Sequence, residues 1–354
     1  DGFEHLLTTL NSLSNPEDIK IGFESTAHYA LNLELFLENA HHSFMEVNPV
    51  LIKEYKKSTT LRRTKTDSVD CESIARWLMT VEYKPHSKGF YHAYSLKSLT
   101  RLRDRLIRQR SFYLVKITNV LDHTFPEFKP FFNERLSKTA LYLLENYGSA
   151  EKMARMNSAS YDKLRCISRG KFSIQQFLRL KELAANTVGV NNSIFDLELN
   201  TLLTLYKSLS DEINTLETEI IKLIEEVHPH YMSIPGIGPI SSAVIYAEYG
   251  DISNFSNPGQ MLAFAGIEPG INDSGTESHG GRMVKHGSSQ LRYVLLNACL
   301  PLIRFDLTFA TYYEKKRAEG KKHRVAITHV AKKLIRVIYA LERQDVDFNA
   351  QKLR

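Results

Sequence analysis

A heptad pattern of apolar residues between positions 196 and 227 constrains the fold of this chain more than any other feature. Apolar residues follow one another at alternating spacings of four and three: Leu202, Tyr206, Leu209, Ile213, Leu216, Ile220, Leu223 and Val227. Because this spacing keeps the side chains on one stripe of an α-helix, it predicts a long helix with a coiled-coil seam. The seam could pack against a helix predicted for residues 96–125, forming a hairpin within one subunit, or against a second copy of the chain.

The first 85 residues alternate helical and strand patterns, which favours an α/β domain with helices packed on a sheet. We predict helices at Phe3–Leu13, Tyr29–Asn39, Val50–Tyr55 and Ser68–Met79, strands at Asp18–Phe23 and Ser43–Val47, and an exposed basic loop at Lys56–Lys65. Three domains are therefore expected: an α/β domain at 1–85, a helical linker and coiled-coil region at 86–230, and a mainly helical C-terminal domain at 231–354. Residues 127–194 are predicted to form several short helices.

The overall charge points to a polyanionic partner. The chain carries a formal net charge of +6 and has an isoelectric point of about 9.0, which suits nucleic acid, although a mildly basic protein without such a partner remains an alternative. Three widely separated cysteines exclude a disulfide framework and a cysteine-rich zinc site, and they fit a cytoplasmic protein. Since no apolar run approaches about 18 residues, no membrane partner is expected.

Three acidic residues in the first domain are candidate metal ligands. Glu24 ends a predicted strand, and Asp67 and Asp70 lie three positions apart at the start of a predicted helix, so their carboxylates point the same way. Carboxylate oxygens bind divalent cations. The alternative is that Asp67 only caps the helix and Asp70 is solvated. A basic run immediately before Asp67 suits a phosphate backbone near bound metal: Arg62, Arg63 and Lys65.

The C-terminal domain opens with a turn typical of a helix-hairpin-helix motif. Pro235-Gly236-Ile237-Gly238 precedes a predicted helix at Ile240–Tyr249. Such a turn leaves backbone N–H groups exposed to hold a phosphate oxygen of DNA. The alternative is a tight connection between two helices.

A serine in a glycine-rich segment is a candidate nucleophile. Ser274 lies in a predicted flexible loop, and the cations that follow it could stabilise negative charge during phosphoryl transfer: Arg282, Lys285 and Arg292. His279 or His286 could act as a base. The alternative is an ordinary turn serine.

An arginine cluster on the helix predicted after Leu96 suits phosphate binding. Its alternative is a solvated coiled-coil face. The cluster comprises Arg101, Arg103, Arg105, Arg108 and Arg110.

The order and spacing of these motifs resemble one family, the DEDD-type insertion-sequence transposases of the one-hundred-ten family. The family includes bridge-RNA-guided recombinases and Piv-like DNA invertases. The resemblance covers roughly residues 1–80 and 231–345. It rests on Ile21–Thr26, Val47–Pro49, Lys65–Asp70, Ile234–Gly238, Phe264–Pro269, Ser274-Gly275 and Lys285–Arg292.

The resemblance implies a RuvC-like, RNase-H-type N-terminal domain in which four acids, in the order Asp, Glu, Asp, Asp, bind Mg²⁺. The last three acids match Glu24, Asp67 and Asp70. The first should lie on a strand before the helix at Phe3–Leu13, where the sequence has no counterpart, so we expect an N-terminally shortened domain and an incomplete metal site. Ser274 matches the family's serine nucleophile, which forms a phosphoserine link to DNA.

The resemblance also implies the reaction and the partners. We expect a transposase or site-specific recombinase that acts on donor and target DNA. A structured bridge RNA is expected to guide it to its sites, and the protein is expected to work as a dimer or tetramer. Two rivals stay open. One is a metal-dependent nuclease resembling a Holliday-junction resolvase, and the other is a nucleic-acid-binding fragment without catalysis.

Overall fold

The structure is a computed structural model that describes residues 2–13, 18–24, 30–47, 49–59, 66–83, 85, 90–133, 136–274 and 277–353. Two compact units divide the chain, Asp1–Phe90 and Tyr91–Arg354.

The N-terminal unit contains four helices and two strands within its described residues. In chain order they are α1 (Gly2–Leu13), β1 (Ile21–Glu24), α2 (Ala30–Asn39), β2 (Phe44–Val47), α3 (Pro49–Thr59) and α4 (Asp67–Thr80). The strands pair in parallel, with Ile21 opposite Phe44 and Glu24 opposite Val47. The predicted alternation of helix and strand is therefore confirmed.

Helix α4 lies directly against β1. A Cβ atom on Gly22 would come within 2.5 Å of Leu78 Cδ1, so glycine is the residue that permits this approach. Ile74 and Leu78 of α4 pack with Val47 and Ile52 in a small buried cluster. This packing fixes the first turn of α4 relative to the carboxyl end of β1.

One prediction for this unit is partly wrong. The segment 56–59 was expected to begin an exposed loop, but α3 continues through it to Thr59. The helix persists because Pro49 opens it in the first turn and no glycine or proline interrupts it before Thr59. Positions 60–65 lie outside the described residues.

Two helices of 35 residues each dominate the second unit. They are α5 (Phe90–Thr124) and α11 (Ser193–Val227). Five shorter helices connect them, as predicted for residues 127–194: α6 (Phe128–Phe131), α7 (Lys138–Tyr147), α8 (Ala150–Ala154), α9 (Ser158–Ile167) and α10 (Ile174–Ala185). Capping side chains define the starts of several of these, including Ser137, Ser149, Asn157 and Ser173.

The apolar seam of α11 packs inside the chain against α5. Near one end of the pair, Arg103 Nε of α5 donates to Glu217 Oε1 at 2.8 Å. At the other end, the rings of His123 and Phe195 stack with centroids 6.0 Å apart. These contacts require the two helices to run antiparallel, so the intrachain hairpin is the arrangement observed.

The two halves of α11 belong to different cores. Its N-terminal part, with Leu199 and Leu203, packs with Val120 and Leu121 of α5 and with the short helices. Its C-terminal part, with Ile220 and Ile224, packs with Leu96 and with the helix that follows the Pro-Gly turn.

The C-terminal part of this unit is helical except for one hairpin. Its elements are α12 (Pro239–Tyr249), α13 (Pro258–Ala265), β3 (Pro269–Ser274), β4 (Glu277–Met283), α14 (Ser289–Phe305), α15 (Leu307–Ala318) and α16 (His323–Gln344). Their core is built around α14 and α16, where Leu295, Leu302, Leu334 and Ile338 are fully buried. The chain after α16 returns to the start of this region, and His230 contacts Asp345 and Asp347 at 2.9 and 3.0 Å.

Across the described ranges, no single helix is long and apolar enough to cross a membrane. By length and composition alone, the pair α14 and α15 passes the same test together, with a bend of 106° between its two helices.

Candidate functional site

The three predicted metal ligands line one cavity in the N-terminal unit. Its volume is about 1050 Å³, and its walls include Glu24, Asp67 and Asp70 together with apolar residues of α1, β1 and α4. Glu24 reaches it from the end of β1, and the two aspartates reach it from the first turn of α4. Residues separated by more than 40 positions are thus brought to one surface.

The two aspartates differ in their surroundings. Asp67 is exposed at the first position of α4, and the helix is capped by Thr66, whose hydroxyl accepts from the Val69 N–H at 3.4 Å. The alternative role of Asp67 as the helix cap is therefore wrong. Asp70 forms an ion pair with Lys56 of α3, and both side chains are 24% exposed. Sequence reasoning missed Lys56, which belonged to the basic run but was assigned to a loop.

The donor chemistry of these acids fits a hard divalent cation, which prefers carboxylate oxygens. Within the ranges that the structure covers, however, no three Asp, Glu, His or Cys side chains converge closely enough to hold a metal ion. Glu24, Asp67 and Asp70 therefore share one cavity without converging on a single point. The basic residues predicted to flank it, Arg62, Arg63 and Lys65, lie outside the described residues.

In the second unit, the Pro-Gly turn is held tightly against α14. Gly236 has φ +98°, and a Cβ atom there would lie 2.8 Å from Pro301 Cγ and 3.2 Å from the Ala298 carbonyl oxygen. Ile234 and Ile237 on either side are buried in the core. The glycine at 236 is thus explained by backbone conformation and packing.

Gly238 has a different environment. It is the N-cap of α12 and is followed by Pro239 at the first helical position, and a Cβ atom built on it would meet no atom within 4 Å. A helix start without a capping side chain and with open space before it can receive a phosphate oxygen. Of the two glycines, Gly238 is the one that suits a nucleic-acid contact.

Ser274 lies at the end of a two-stranded antiparallel hairpin. It is the last residue of β3 and pairs with Glu277, the first residue of β4. The prediction of a flexible loop is wrong for Ser274, although Gly275 and Thr276 between the strands lie outside the described residues. The pairing places Ser274 at the tip of the hairpin, where the chain reverses.

Two glycine-containing motifs meet at the base of this hairpin. A Cβ atom on Gly287 would lie 2.0 Å from the Phe264 carbonyl oxygen and 2.5 Å from the Gly266 nitrogen, so only glycine permits the contact. The Ser288 N–H donates to the Phe264 carbonyl at 3.1 Å. The segments 264–269 and 285–292 are therefore parts of one local structure.

The cations predicted to assist Ser274 differ in their hydrogen bonds and in their exposure to solvent. Arg292 donates from Nη1 to the Ala265 carbonyl at 3.2 Å and so stabilises the end of α13. Lys285 and His286 are exposed just after β4. Arg282 and His279 lie on β4, and the structure describes their backbone positions only.

The arginine cluster of α5 also divides into two groups. Arg101 donates to both oxygens of Glu248 at 3.0 and 3.2 Å, and Arg103 pairs with Glu217. Arg105 is exposed, and Arg108 is exposed with an ion pair to Asp104 within the same helix at 2.9 Å. Arg105 and Arg108 are thus the more accessible of the predicted phosphate contacts.

Replacement of Arg101 by alanine is expected to lower the free energy of unfolding by about 2 kcal/mol. The Glu248 side chain is 2% exposed, so its carboxylate would be left buried without its bidentate partner. The loss is smaller than for a fully buried pair because Arg101 itself is 48% exposed. Urea unfolding would measure it.

Arg108→Ala is the matched control, because its pair with Asp104 is exposed and should contribute about 0.5 kcal/mol or less. Equal losses for the two variants would contradict a structural role for Arg101.

Comparison with known proteins matches both ends of the chain to transposases. Residues 1–126 match a DEDD transposase model of the IS110 group, and residues 229–314 match the transposase model of the IS116/IS110/IS902 family. The chain belongs to the IS110 family of transposases. The match to the DEDD model covers the N-terminal unit together with α5, and it implies a RuvC-like fold and dependence on a divalent metal.

Relatives of the IS110 family align over much of the chain. An IS110 protein of 43.6 kDa from Streptomyces coelicolor is 27% identical over 245 residues, which is 67% of this chain and 60% of that protein. An IS900 protein of 42 kDa from Mycobacterium paratuberculosis is 28% identical over 298 residues, covering 79% and 71% of the two chains. The pilin gene-inverting protein of Moraxella bovis is 27% identical over 149 residues, or 40% and 46%. The chain thus aligns with less than two thirds of the IS110 protein.

Proposed function

We propose that this protein cuts and rejoins DNA as a transposase or site-specific recombinase, using Ser274 as the nucleophile. Membership of the IS110 family carries this proposal. The position of Ser274 supports it, because its backbone ends β3 where the hairpin reverses, and such connections commonly carry functional residues.

The proposed reaction of Ser274 keeps the number of phosphate ester bonds constant. Its Oγ attacks a DNA phosphorus atom and loses its proton to a base, for which His279 and His286 are the candidates. The bond from phosphorus to one bridging oxygen breaks, and that oxygen leaves as a DNA hydroxyl. A hydroxyl of another DNA strand then attacks the phosphoserine and releases Oγ. Because each step forms one phosphate ester and breaks one, religation needs no ATP.

Cations of the C-terminal region would stabilise the charge that develops on the phosphate. Lys285 is exposed two residues after the end of β4, whereas Arg292 is partly buried. Arg282 belongs to β4 itself, and Arg292 holds the end of α13 in place. We assign Lys285 and Arg282 to the phosphate and Arg292 to positioning the segment that carries them.

Mg²⁺ is the proposed cofactor, and Glu24, Asp67 and Asp70 would hold it together with a further ligand. When bound, it would orient the phosphate and stabilise its charge. Asp70 is paired with Lys56, so this ion pair would have to open for Asp70 to hold a cation. Glu24 is fixed by its place at the end of β1.

The proposed partners are donor and target DNA, a structured bridge RNA that guides site choice, and further copies of the chain in a dimer or tetramer. The basic isoelectric point of about 9.0 suits the two nucleic acids. Gly236 and Gly238 at the start of α12 are proposed as a sequence-independent phosphate contact, with Gly238 making it and Gly236 shaping the turn.

A metal-dependent nuclease is the main rival, because the same carboxylates could activate water while Ser274 has a structural role. The rival predicts broken DNA without any covalent protein–DNA link. The two chemistries therefore differ in an observable product.

The decisive experiment traps that product. The full-length protein is incubated with labelled DNA carrying the element's ends and Mg²⁺, denatured with detergent, digested with protease and nuclease, and examined by mass spectrometry. A phosphodinucleotide on the peptide containing Ser274 is expected. Cleaved DNA with no adduct would favour the nuclease, and an adduct on another residue would overturn the assignment of Ser274.

A further inference from the structure

The positive charge of the chain is concentrated in α15 and α16. Residues 314–336 contain nine Lys or Arg and two Glu, a net charge of +7, whereas the whole chain carries +6. The remaining residues are therefore nearly neutral in sum. An isoelectric point of about 9.0 reflects this one segment rather than a basic surface overall.

On α16, part of this charge forms a stripe along one face. Positions spaced alternately by three and four residues lie on the same side of the helix. Beginning at the N-cap, these positions are Lys322, Val325, His329, Lys332 and Arg336. At about 1.5 Å per residue, the stripe extends about 21 Å. The opposite face of α16 packs in the core through Leu334 and Ile338, so the stripe is on the outside.

These cations have few acidic partners within the part of the chain that the structure describes. Lys316 pairs with Glu319 at 2.9 Å. Lys322, Lys332 and Arg336 form no ion pair with any described residue. Arg336 and Lys322 are exposed, and Lys332 is partly buried near Arg336.

The cations on and near this face repel one another. Burial and the charges of Lys332, Lys316 and Lys321 lower the pKa of His329. Burial and the nearby Arg336 lower the pKa of Lys332, while Glu268 raises it. Glu268 immediately precedes β3, so Lys332 lies near the base of the hairpin whose tip carries Ser274. An anion along this face would relieve the repulsion.

We propose that the α16 stripe of Lys322, Lys332 and Arg336 binds the phosphodiester backbone of a nucleic acid. The residues of this surface differ from those of the Pro-Gly turn and from Ser274, and the inference rests on the proposed function for the identity of the polyanion. The three cations extend over about 21 Å, the length of about six phosphates of one strand at about 3.4 Å each along the duplex axis. A linear array of that kind matches a backbone better than a compact anion.

Contact with backbone phosphates makes binding depend steeply on salt concentration. Each phosphate neutralised in duplex DNA contributes about 0.9 to the slope of log K against log salt concentration, and about 0.7 in a single strand. Removing three contacts should therefore flatten the slope for duplex DNA by about 2.7. Backbone contacts also predict little dependence on sequence.

The test compares two triple variants of the full chain that lose the same charge. One is Lys322→Gln, Lys332→Gln and Arg336→Gln, and the other is Lys163→Gln, Arg165→Gln and Lys171→Gln on or beside α9, where all three residues are exposed. Fluorescence anisotropy measures the Kd for a 30-bp DNA duplex of arbitrary sequence and for a 30-nucleotide single-stranded RNA, each over a range of NaCl concentrations.

The stripe variant is expected to bind at least one probe about tenfold or more weakly with a flatter salt slope, while the control changes about twofold or less. A larger loss for duplex DNA assigns the stripe to DNA, and a larger loss for RNA assigns it to RNA. Equal behaviour of the two variants on both probes would overturn the proposal.

Two further measurements keep the outcome interpretable. In wild-type protein, NMR titration should show the pKa of His329 rising when the duplex or RNA binds, because phosphate offsets the neighbouring cations; an unchanged pKa with both would count against the stripe. Adduct formation should also be measured on the stripe variant, because attack by Ser274 and binding by the stripe are separate readouts. Loss of adducts and loss of stripe-dependent binding therefore test the chemistry and the surface separately.

Discussion

Replacement of Ser274 by alanine is expected to reduce covalent protein–DNA adducts by about a thousandfold or more. Alanine removes the only hydroxyl proposed to attack phosphorus, and a hairpin tip tolerates the change because Ser274 ends β3. Adducts should be counted on denaturing gels after incubation of the full-length protein with labelled DNA and Mg²⁺. Total strand breakage should be measured in the same samples.

Ser278→Ala is the matched control, because Ser278 lies on β4 of the same hairpin and pairs with Asp273. It should form adducts at close to the wild-type level. If Ser274→Ala still breaks DNA at the wild-type rate and neither protein forms adducts, water is the nucleophile and the nuclease is the correct reading. If Ser274→Ala forms adducts normally, another residue attacks.

Local sequence patterns predicted the helices of this chain well because helix formation depends on spacing over short distances. The heptads between Leu202 and Val227 specified α11, and the structure extends it to Ser193–Val227. The partner of the seam could not be read from the same pattern. That choice depends on contacts such as the one between Arg103 and Glu217, which are 114 positions apart.

The same limit explains the arginine cluster. Spacing alone makes Arg101 and Arg105 equivalent, since both lie on one face of α5. Only the fold brings Glu248 beneath Arg101 and leaves Arg105 exposed. Arg292 was likewise predicted from its motif as a phosphate contact, yet its guanidinium holds the Ala265 carbonyl.

Ser274 shows where composition misleads. Glycines at 270, 275, 280 and 281 favoured a loop. Cross-strand pairing from Pro269 to Met283 nevertheless makes a hairpin with an irregularity between Pro269 and Ile271, because strand formation depends on the partner strand more than on intrinsic preference. The position of the site along the chain was predictable, but its local geometry was not.

The basic stripe of α16 is visible in the sequence only when charge is counted over short segments. The net charge of +6 was taken over the whole chain, which averages a segment of +7 with a neutral remainder. A charge count over short windows would have found residues 314–336. The face on which Lys332 and Arg336 lie needs only the helical period.

Replacement of Glu34 by glutamine is expected to stabilise the protein at alkaline pH by about 4 kcal/mol. Glu34 of α2 is 3% exposed. Burial first, then a hydrogen bond with Glu46 and the charges of Glu46 and Glu38, raise the pKa of Glu34 to about 8. The carboxyl is therefore neutral in the folded protein near pH 7 and ionised in the unfolded chain.

The sign of the pH dependence follows from that difference. A raised folded-state pKa stabilises the fold fully below the unfolded value of 4.5, and this contribution is lost as pH rises through about 8. Glutamine keeps a neutral hydrogen-bonding group and cannot ionise. Urea unfolding at pH 5, 7 and 9 should show a widening advantage for Glu34→Gln, with near-equal stability at the lowest pH.

Glu72→Gln serves as the control, because Glu72 is exposed on α4 and its pair with Arg76 should contribute about 0.5 kcal/mol or less at every pH. Parallel curves for wild type and Glu34→Gln would show that Glu34 is not protonated in the fold.

The protonation state of Glu34 also bears on the candidate metal site of the same unit. Glu46, which hydrogen-bonds with Glu34, lies opposite Phe23 in the two-stranded sheet, and Phe23 is the residue before Glu24. Ionisation of Glu34 therefore adds negative charge close to the strand that carries a candidate metal ligand.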